Sequence, residues 1–197
     1  MIFSKPLSPL FLFSLPLLLL FFFFFFTCSQ GCTETAQNLI FETCKTSSQR
    51  DPTFNLGFCT SSLQAAPASR CATLVGLGRM TIRLVHDNVT DIRCQVKQLL
   101  RKKLDQYVKV RLEDCLELYT DAIYAAEKAM QQYKAKSYGE ANRRITYVMD
   151  AASTCEDGFM EKEDGVSPLT KENSDAFKLS AMALSIMALI QSGSHDF

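Results

Sequence analysis

Apolar residues recur at steps of three and four along most of the chain after residue 31, and almost nowhere at steps of two. This spacing gathers them on one face of an α-helix, whereas a β-strand would require alternation. Prolines and glycines fall between the periodic segments, where they mark turns. The pattern therefore predicts an all-α protein.

The periodicity predicts two short helices followed by four long ones. The second short helix is expected to begin at Asp51-Pro52, because proline is favoured in the first turn of a helix. The six helices together predict an up-down four-helix bundle over residues 69–191, preceded by a short helical hairpin over residues 33–66. The six segments cover approximately residues 33–48, 51–63, 69–103, 109–136, 137–159 and 171–191.

Local features predict further details of two of the long helices. The first long helix, residues 69–103, would be about 50 Å long if unbroken, and it could kink at Gly76, Gly78 or the Asp87-Asn88 pair. At the start of the third, Ser137 and Glu140 have the spacing of a capping box, which predicts reciprocal hydrogen bonds between side chains and backbone amides.

The last segment is apolar on most sides and could be mistaken for a membrane span. Its most apolar stretch, Leu179 to Ile190, is well short of the roughly 20 residues that a span needs. We therefore expect a buried helix of the bundle, and no stable membrane association of the mature protein.

The N-terminal segment has the three parts of a secretory signal peptide. Lys5 supplies the basic start, an apolar run extends from Leu10 to Phe26, and small residues follow at Ser29 and Gly31. We expect cleavage after Gly31, or alternatively after Cys28, which leaves a secreted domain over residues 32–197. A retained signal anchor is the alternative, because the apolar run exceeds the usual limit of about 15 residues.

Eight cysteines in an exported chain indicate a disulfide framework. Cys44 and Cys59 flank the turn of the predicted hairpin, where a bond would hold the two short helices together. Cys115 and Cys155 lie on the apolar stripes of two successive helices, each about 30 Å from the turn that joins them. In an antiparallel pair their sulfurs can therefore meet.

The partners of the other cysteines stay open. Cys71 and Cys94 lie in one helical segment and cannot pair unless that segment folds back. With Cys32, an odd number of cysteines remains after cleavage, so at least one free or intermolecular thiol is expected. A buried free cysteine would act as a small, inert apolar residue.

Charge and motifs argue against several classes of function. The chain has 21 basic and 21 acidic residues, and its longest basic cluster is Arg101-Lys102-Lys103. A nucleic-acid partner is therefore not expected. His86 and His195 lack a serine, cysteine and acid in any recognisable catalytic order, and phosphate loops and C-x-x-C pairs are absent. We expect no enzymatic activity, cofactor or metal ion, and one candidate glycosylation site at Asn88 in Asn88-Val89-Thr90.

Four motifs lie between Ala36 and Ile190. They are Thr43-Cys44 with Cys59, Asp114-Cys115-x-x-x-Tyr119, Thr154-Cys155-Glu156-Asp157-Gly158-Phe159 and Ser167-Pro168-Leu169-Thr170-Lys171-Glu172-Asn173. Together they resemble the plant invertase and pectin methylesterase inhibitors, and most closely the branch of pollen-allergen invertase inhibitors.

The resemblance implies a secreted protein of the cell wall that blocks the active-site cleft of a carbohydrate-active enzyme in a one-to-one complex. It also implies the disulfides Cys44–Cys59 and Cys115–Cys155. Invertase-inhibiting members carry a Pro-Lys-Phe triplet near the turn between the second and third bundle helices. Here that turn reads Lys134-Ala135-Lys136-Ser137-Tyr138, which favours pectin methylesterase over acid invertase as the partner.

We expect the contact with the enzyme on polar faces of the second and third bundle helices. A different class of function, a secreted helical signalling ligand, also fits a four-helix bundle without an active site. The candidate contact residues are Asp121, Tyr124 and Lys128 along the second helix, and Lys134, Lys136 and Tyr138 near the turn.

Overall fold

The computed structural model describes residues 35–66, 68, 72–162 and 165–193. The predicted signal peptide, Cys32, Cys71 and His195 lie outside the described residues. Within them the chain forms six helices and no strand, which confirms the all-α prediction. The helices are α1 (residues 35–50), α2 (Leu56–Ala65), α3 (Leu74–Leu99), α4 (Gln106–Lys134), α5 (Tyr138–Met160) and α6 (Thr170–Gly193).

Helices α3 to α6 form the predicted up-down bundle. Each packs against its neighbours in the chain, and α6 closes the square by packing against α3. The hairpin of α1 and α2 shares the same apolar core, to which Ile40 and Leu63 contribute. It also contacts α6, where the Ser185 hydroxyl donates to the Ser47 carbonyl at 3.4 Å.

Helix α6 is the only described helix long and apolar enough to cross a membrane by length and composition. Half of its most apolar window is buried inside the protein. Its flanks pack between α3 and α5, as expected for the fourth helix of a bundle.

The predicted start of α2 at Asp51-Pro52 is wrong. The Asp51 carboxylate accepts from the Thr53 amide at 2.9 Å, so this side chain closes a local turn. The helix begins at Leu56 instead, because the Asn55 side chain accepts from the Phe58 amide at 2.8 Å and caps it.

Helix α4 begins three residues before the predicted Lys109. Its N-cap is Asp105, whose carboxylate accepts from the Tyr107 amide at 2.9 Å. Sequence periodicity located the apolar stripe of α4 but did not locate this cap.

The capping box predicted at Ser137 and Glu140 is also wrong. Ser137 has φ −83° and ψ 63°, which differs from the extended conformation of a capping residue, and its side chain makes no capping hydrogen bond. Glu140 pairs with Arg143 one turn further along instead.

Helix α3 runs unbroken through Gly76, Gly78 and the Asp87-Asn88 pair. Gly78 serves close packing, because a Cβ atom there would overlap the Tyr133 hydroxyl and come within 2.7 Å of Ile190. The Tyr133 hydroxyl donates to the Val75 carbonyl at 2.7 Å. A small residue at position 78 therefore lets α4 and α6 approach the first turns of α3.

Both predicted disulfides are present. The Cα atoms of Cys44 and Cys59 are 5.6 Å apart, and those of Cys115 and Cys155 are 5.0 Å apart. Cys94 is exposed and forms no disulfide, so it is not the buried apolar residue that was expected of a free cysteine.

Removal of the Cys115–Cys155 bond should lower the free energy of unfolding by about 4 kcal/mol. The bond closes a loop with a sequence separation of 40 residues, and the chain-entropy model gives this magnitude for such a loop. Urea denaturation of the Cys115→Ser/Cys155→Ser variant measures the loss. The exposed Cys94→Ser variant is the control and should unfold at the same urea concentration as the native protein.

Candidate functional site

The outer face of α4 carries an exposed tyrosine flanked by a lysine. Tyr124 is 57% exposed, and the Lys128 ammonium lies 5.3 Å from the centroid of its ring. Lys128 also donates to the Gln131 side chain at 3.3 Å. A large aromatic surface beside a cation is typical of the residues that dominate protein–protein contacts.

Asp121 lies one turn before Tyr124 and faces Tyr147 of α5. Burial raises the pKa of Tyr147, and the charge of Asp121 and a hydrogen bond to it raise that pKa further. The phenol therefore stays protonated and can donate to the carboxylate. Tyr147 remains 42% exposed, so it adds a second aromatic side chain to this face.

A groove of about 440 Å³ runs between α4 and α5 beside this face, with the Cys115–Cys155 bond in its lining. Arg111 pairs with Asp114 at 3.1 Å and with Glu161 at 3.6 Å. The other acidic side chains of the lining form no ion pair with a described residue. The groove is therefore acidic, and these unpaired carboxylates are Glu117, Asp121 and Asp157.

The turn from α4 to α5 is built around Lys136 in the left-handed region, with φ 59°. The Lys136 amide donates to the Tyr133 carbonyl at 3.0 Å, and the Ser137 amide donates to the Gln132 carbonyl at 2.9 Å. This pair of bonds is the Schellman motif that ends many helices, usually with glycine at the left-handed position. The lysine therefore presents its side chain at a tightly defined turn.

The structure divides the six predicted contact residues among four places. Asp121, Tyr124 and Lys128 share the outer face of α4, and Lys136 lies at the turn. Tyr138 is half-buried and packs edge-on against Tyr133, with ring centroids 5.2 Å apart. Lys134 lines a different groove, between α3 and α4.

We call the surface formed by Asp121, Tyr124, Lys128, Lys136 and Tyr147 the outer surface. Tyr147 was not among the predicted contacts, because its neighbour Asp121 belongs to another helix. The sequence contained one signal of its exposure. Tyr147 lies between the buried positions of the apolar stripe of α5, so its side chain leaves the helix on a different side.

A polar network joins α4, α5 and α6; it is buried at Tyr119 and Asn173 and reaches the surface at Glu156 and Thr170. The Tyr119 hydroxyl donates to the Asn173 side chain at 2.5 Å, and the Asn173 amide donates to Glu156 at 2.6 Å. Thr170 donates to the other oxygen of Glu156 at 2.6 Å. Burial raises the pKa of Tyr119, and the charges of Glu156 and Glu172 add to this effect, so the phenol stays a donor.

The candidate glycosylation site at Asn88 lies in the middle of α3. Its side chain is partly buried, and its Oδ1 atom is buried without a hydrogen-bond partner among the described residues. Val89 is fully buried, and the Thr90 hydroxyl donates to the His86 carbonyl at 2.8 Å. The sequon is thus part of a packed helix.

The described part of the chain contains no group of three histidine, cysteine or acidic side chains that could hold a metal ion. The functional features are an exposed polar and aromatic surface, two grooves and a rigid turn. The described residues thus form a disulfide-bonded helical bundle.

Comparison with known proteins identifies the family of this bundle. The family model for plant invertase/pectin methylesterase inhibitors matches residues 38–186. The chain therefore belongs to this family of inhibitors, and it is not an enzyme.

The relatives include both kinds of named inhibitor. A protein of Platanus acerifolia named "Putative invertase inhibitor" is 39% identical over 153 residues, covering 78% of this chain and 86% of the relative. "Pectinesterase inhibitor 12" of Arabidopsis thaliana is 32% identical over 145 residues, covering 73% and 83%. A crystal structure of a mutant form of a pectin methylesterase inhibitor from Arabidopsis has a TM-score of 0.63 at 22% identity, and the match covers 74% of this chain and 96% of that one.

Substitution of Tyr119 by phenylalanine should destabilise the protein by about 1–3 kcal/mol. The change leaves the buried Asn173 oxygen without its donor, and an unsatisfied buried acceptor costs about this much. Thermal or urea unfolding measures the effect. Tyr124→Phe is the matched control, because the Tyr124 side chain is exposed to solvent. Equal stability of the two variants would contradict a structural role for the network.

Stability should fall as the pH rises above about 10. Burial, followed by the nearby Tyr138, raises the pKa of Tyr133 from its usual 10.0 to about 12, against a smaller opposing effect of Arg79. The unfolded chain therefore loses this proton before the folded protein does, so ionisation favours unfolding in this pH range. Urea midpoints at pH 9 and pH 11 test the prediction, and Tyr133→Phe should reduce the difference between them.

Proposed function

We propose that the protein is secreted after loss of residues 1–31 and acts, through its domain of residues 32–197, as an inhibitor of a pectin methylesterase in the cell wall. The outer surface would cover the active-site cleft of the enzyme in a one-to-one complex. A complex of this kind buries roughly 1,600 Å² of surface in total.

The observation that carries the choice of enzyme is the turn between α4 and α5. Invertase-inhibiting members of the family have a Pro-Lys-Phe triplet near this turn, and this chain has Lys134-Ala135-Lys136 followed by Ser137-Tyr138. The left-handed Lys136 gives the turn a shape that proline could not adopt at the same position, since proline requires a φ near −65°. The name of the Arabidopsis relative, "Pectinesterase inhibitor 12", supports the same choice.

The outer surface suits a protein partner for physical reasons. Tyr124 and Tyr147 offer exposed ring area, while Asp121, Lys128 and Lys136 offer charges that can pair with an opposed surface. These side chains stand on helices and on a closed turn, so little backbone conformational entropy is lost when they bind. A polar rim around an aromatic centre is the usual anatomy of such an interface.

Acid invertase is the second candidate, because the Platanus acerifolia relative carries the name "Putative invertase inhibitor". The two candidates differ in the enzyme that the protein inhibits, and the same surface would serve either one. A direct comparison of the two enzymes therefore decides between them.

Tyr124→Ala should weaken inhibition of pectin methylesterase by roughly tenfold, as expected for an aromatic residue at the centre of an interface. The measurement is a titration of the inhibitor against purified pectin methylesterases and an acid invertase, with complexes followed by size-exclusion chromatography. Phe41→Ala is the control, because Phe41 is 45% exposed on α1, away from the outer surface. It should inhibit as the native protein does.

Other outcomes would redirect the proposal. Inhibition of the invertase alone would reverse the preference between the enzymes. Full activity of every enzyme at a large excess of inhibitor, without a co-eluting complex, would contradict enzyme inhibition and favour a helical signalling ligand. Equal losses for Tyr124→Ala and Phe41→Ala would place the contact elsewhere on the protein.

A further inference from the structure

A second groove, between α3 and α4, is basic at its edges. It encloses about 530 Å³. Its floor is apolar and is formed by the side chains of Met80, Ala126 and Met130. Arg79 and Arg83 of α3 stand along one edge of this groove.

The two arginines are exposed and free to bind an anion. They are four residues apart, so their side chains leave the same face of α3 about one helical turn from each other. Neither forms an ion pair with a carboxylate of the described residues. Lys134 of α4 adds a third cation at the edge of the groove.

The two carboxylates that line the groove, Asp87 and Glu127, form no ion pair with these arginines. Asp87 lies 3.1 Å from one nitrogen of His86, and Glu127 lies 3.7 Å from the other. Both acids are therefore directed toward the histidine. The arginines keep their charges available to a ligand.

The basic groove and the outer surface lie on different flanks of α4. Residues of α4 that line the basic groove include Ala126 and Met130, whereas Asp121 lines the acidic groove on the side of α5. None of the outer-surface side chains lines the basic groove, and the two surfaces meet where Lys128 donates to Gln131 at the edge of the groove. Arg79 and Arg83 stand on α3, outside the outer surface.

We propose that the α3–α4 groove binds the carboxylate groups of de-esterified pectin through Arg79 and Arg83. The planar guanidinium of arginine can form two parallel hydrogen bonds with one carboxylate. Two arginines one helical turn apart can each pair with a different carboxylate of a polymer that carries many of them. The choice of this polymer rests on the proposed function, since hydrolysis of a pectin methyl ester releases methanol and leaves a carboxylate at the place where the target enzyme acts.

An acidic peptide is the competing ligand, and the groove favours the polysaccharide. A peptide would bring backbone N–H groups that need acceptors when they are covered. The acidic acceptors in the lining, Asp87 and Glu127, already face His86. A uronate chain presents carboxylates and hydroxyls, and its hydroxyls can both donate and accept.

The test is binding of the native protein to polygalacturonic acid, measured by calorimetry in the absence of any enzyme. Highly methyl-esterified pectin is the matched ligand without the charges, and polyglutamate carries the same carboxylates on a peptide. Arg79→Gln/Arg83→Gln should bind polygalacturonic acid roughly three- to tenfold more weakly, as expected for loss of two exposed charge pairs. The control, Arg50→Gln/Arg101→Gln, removes the same charge from exposed positions elsewhere and should bind as the native protein does.

Each outcome bears on the proposal. Tighter binding of polygalacturonic acid than of esterified pectin and polyglutamate, lost in the Arg79/Arg83 variant alone, supports it. Equal binding of polyglutamate, equal losses in both variants, or no binding overturns it. Inhibition of pectin methylesterase by the Arg79/Arg83 variant should stay at the native level, so failure of the groove and failure of the proposed function are separate results.

Discussion

The antiparallel register of α4 and α5 determines which side chains meet on the outer surface. The Cys115–Cys155 bond fixes that register covalently near one end of the pair. At the same end, the Tyr107 hydroxyl donates to the carbonyls of Gly158 and Phe159, at 2.9 and 3.1 Å. These carbonyls belong to the last turn of α5, where backbone acceptors lack partners within the helix. With this register Asp121 faces Tyr147, and a shift of one turn would separate them.

The bundle contains a network of polar side chains at a place where apolar side chains could also fill the space between the helices. Tyr119, Asn173 and Glu156 come from three different helices, and each hydrogen bond has one preferred alignment of the two helices it joins. Apolar contacts lack this directionality and tolerate sliding along the helix axes. The network therefore complements the disulfide, because it also orients the start of α6, which the disulfide does not reach.

Helix α4 separates two surfaces of opposite charge in a chain whose total charges balance. Its flank toward α5 carries Glu117 and Asp121, and its flank toward α3 borders Arg79 and Arg83. A uniform neutral surface would attract neither a cationic nor an anionic partner. The separation of charge along one helix allows the protein to present two distinct surfaces at once.

The sequence by itself determined the fold class, the six helices and both disulfides. Helical periodicity can be recognised in the sequence without tertiary information. The similar distances of Cys115 and Cys155 from the turn between their helices follow from counting residues. The starts of α2 and α4 were less predictable, because Asp51, Asn55 and Asp105 each accept from a nearby amide and backbone geometry decides which of them caps a helix. Helix α5 does start beside Ser137 as predicted, but without the predicted capping box.

Only the tertiary structure decided which polar residues share a surface. Asp121 and Tyr147 lie on different helices, and Arg83 faces a groove whose floor comes partly from α4. The tertiary structure also places Lys134 in the groove between α3 and α4, away from the outer surface, although Lys136 is only two residues further along the chain. The physical reason is that periodicity reports the angle of a residue around its own helix, whereas a site depends on how neighbouring helices are rotated and aligned, and that is set by long-range packing, the disulfide and the buried hydrogen bonds.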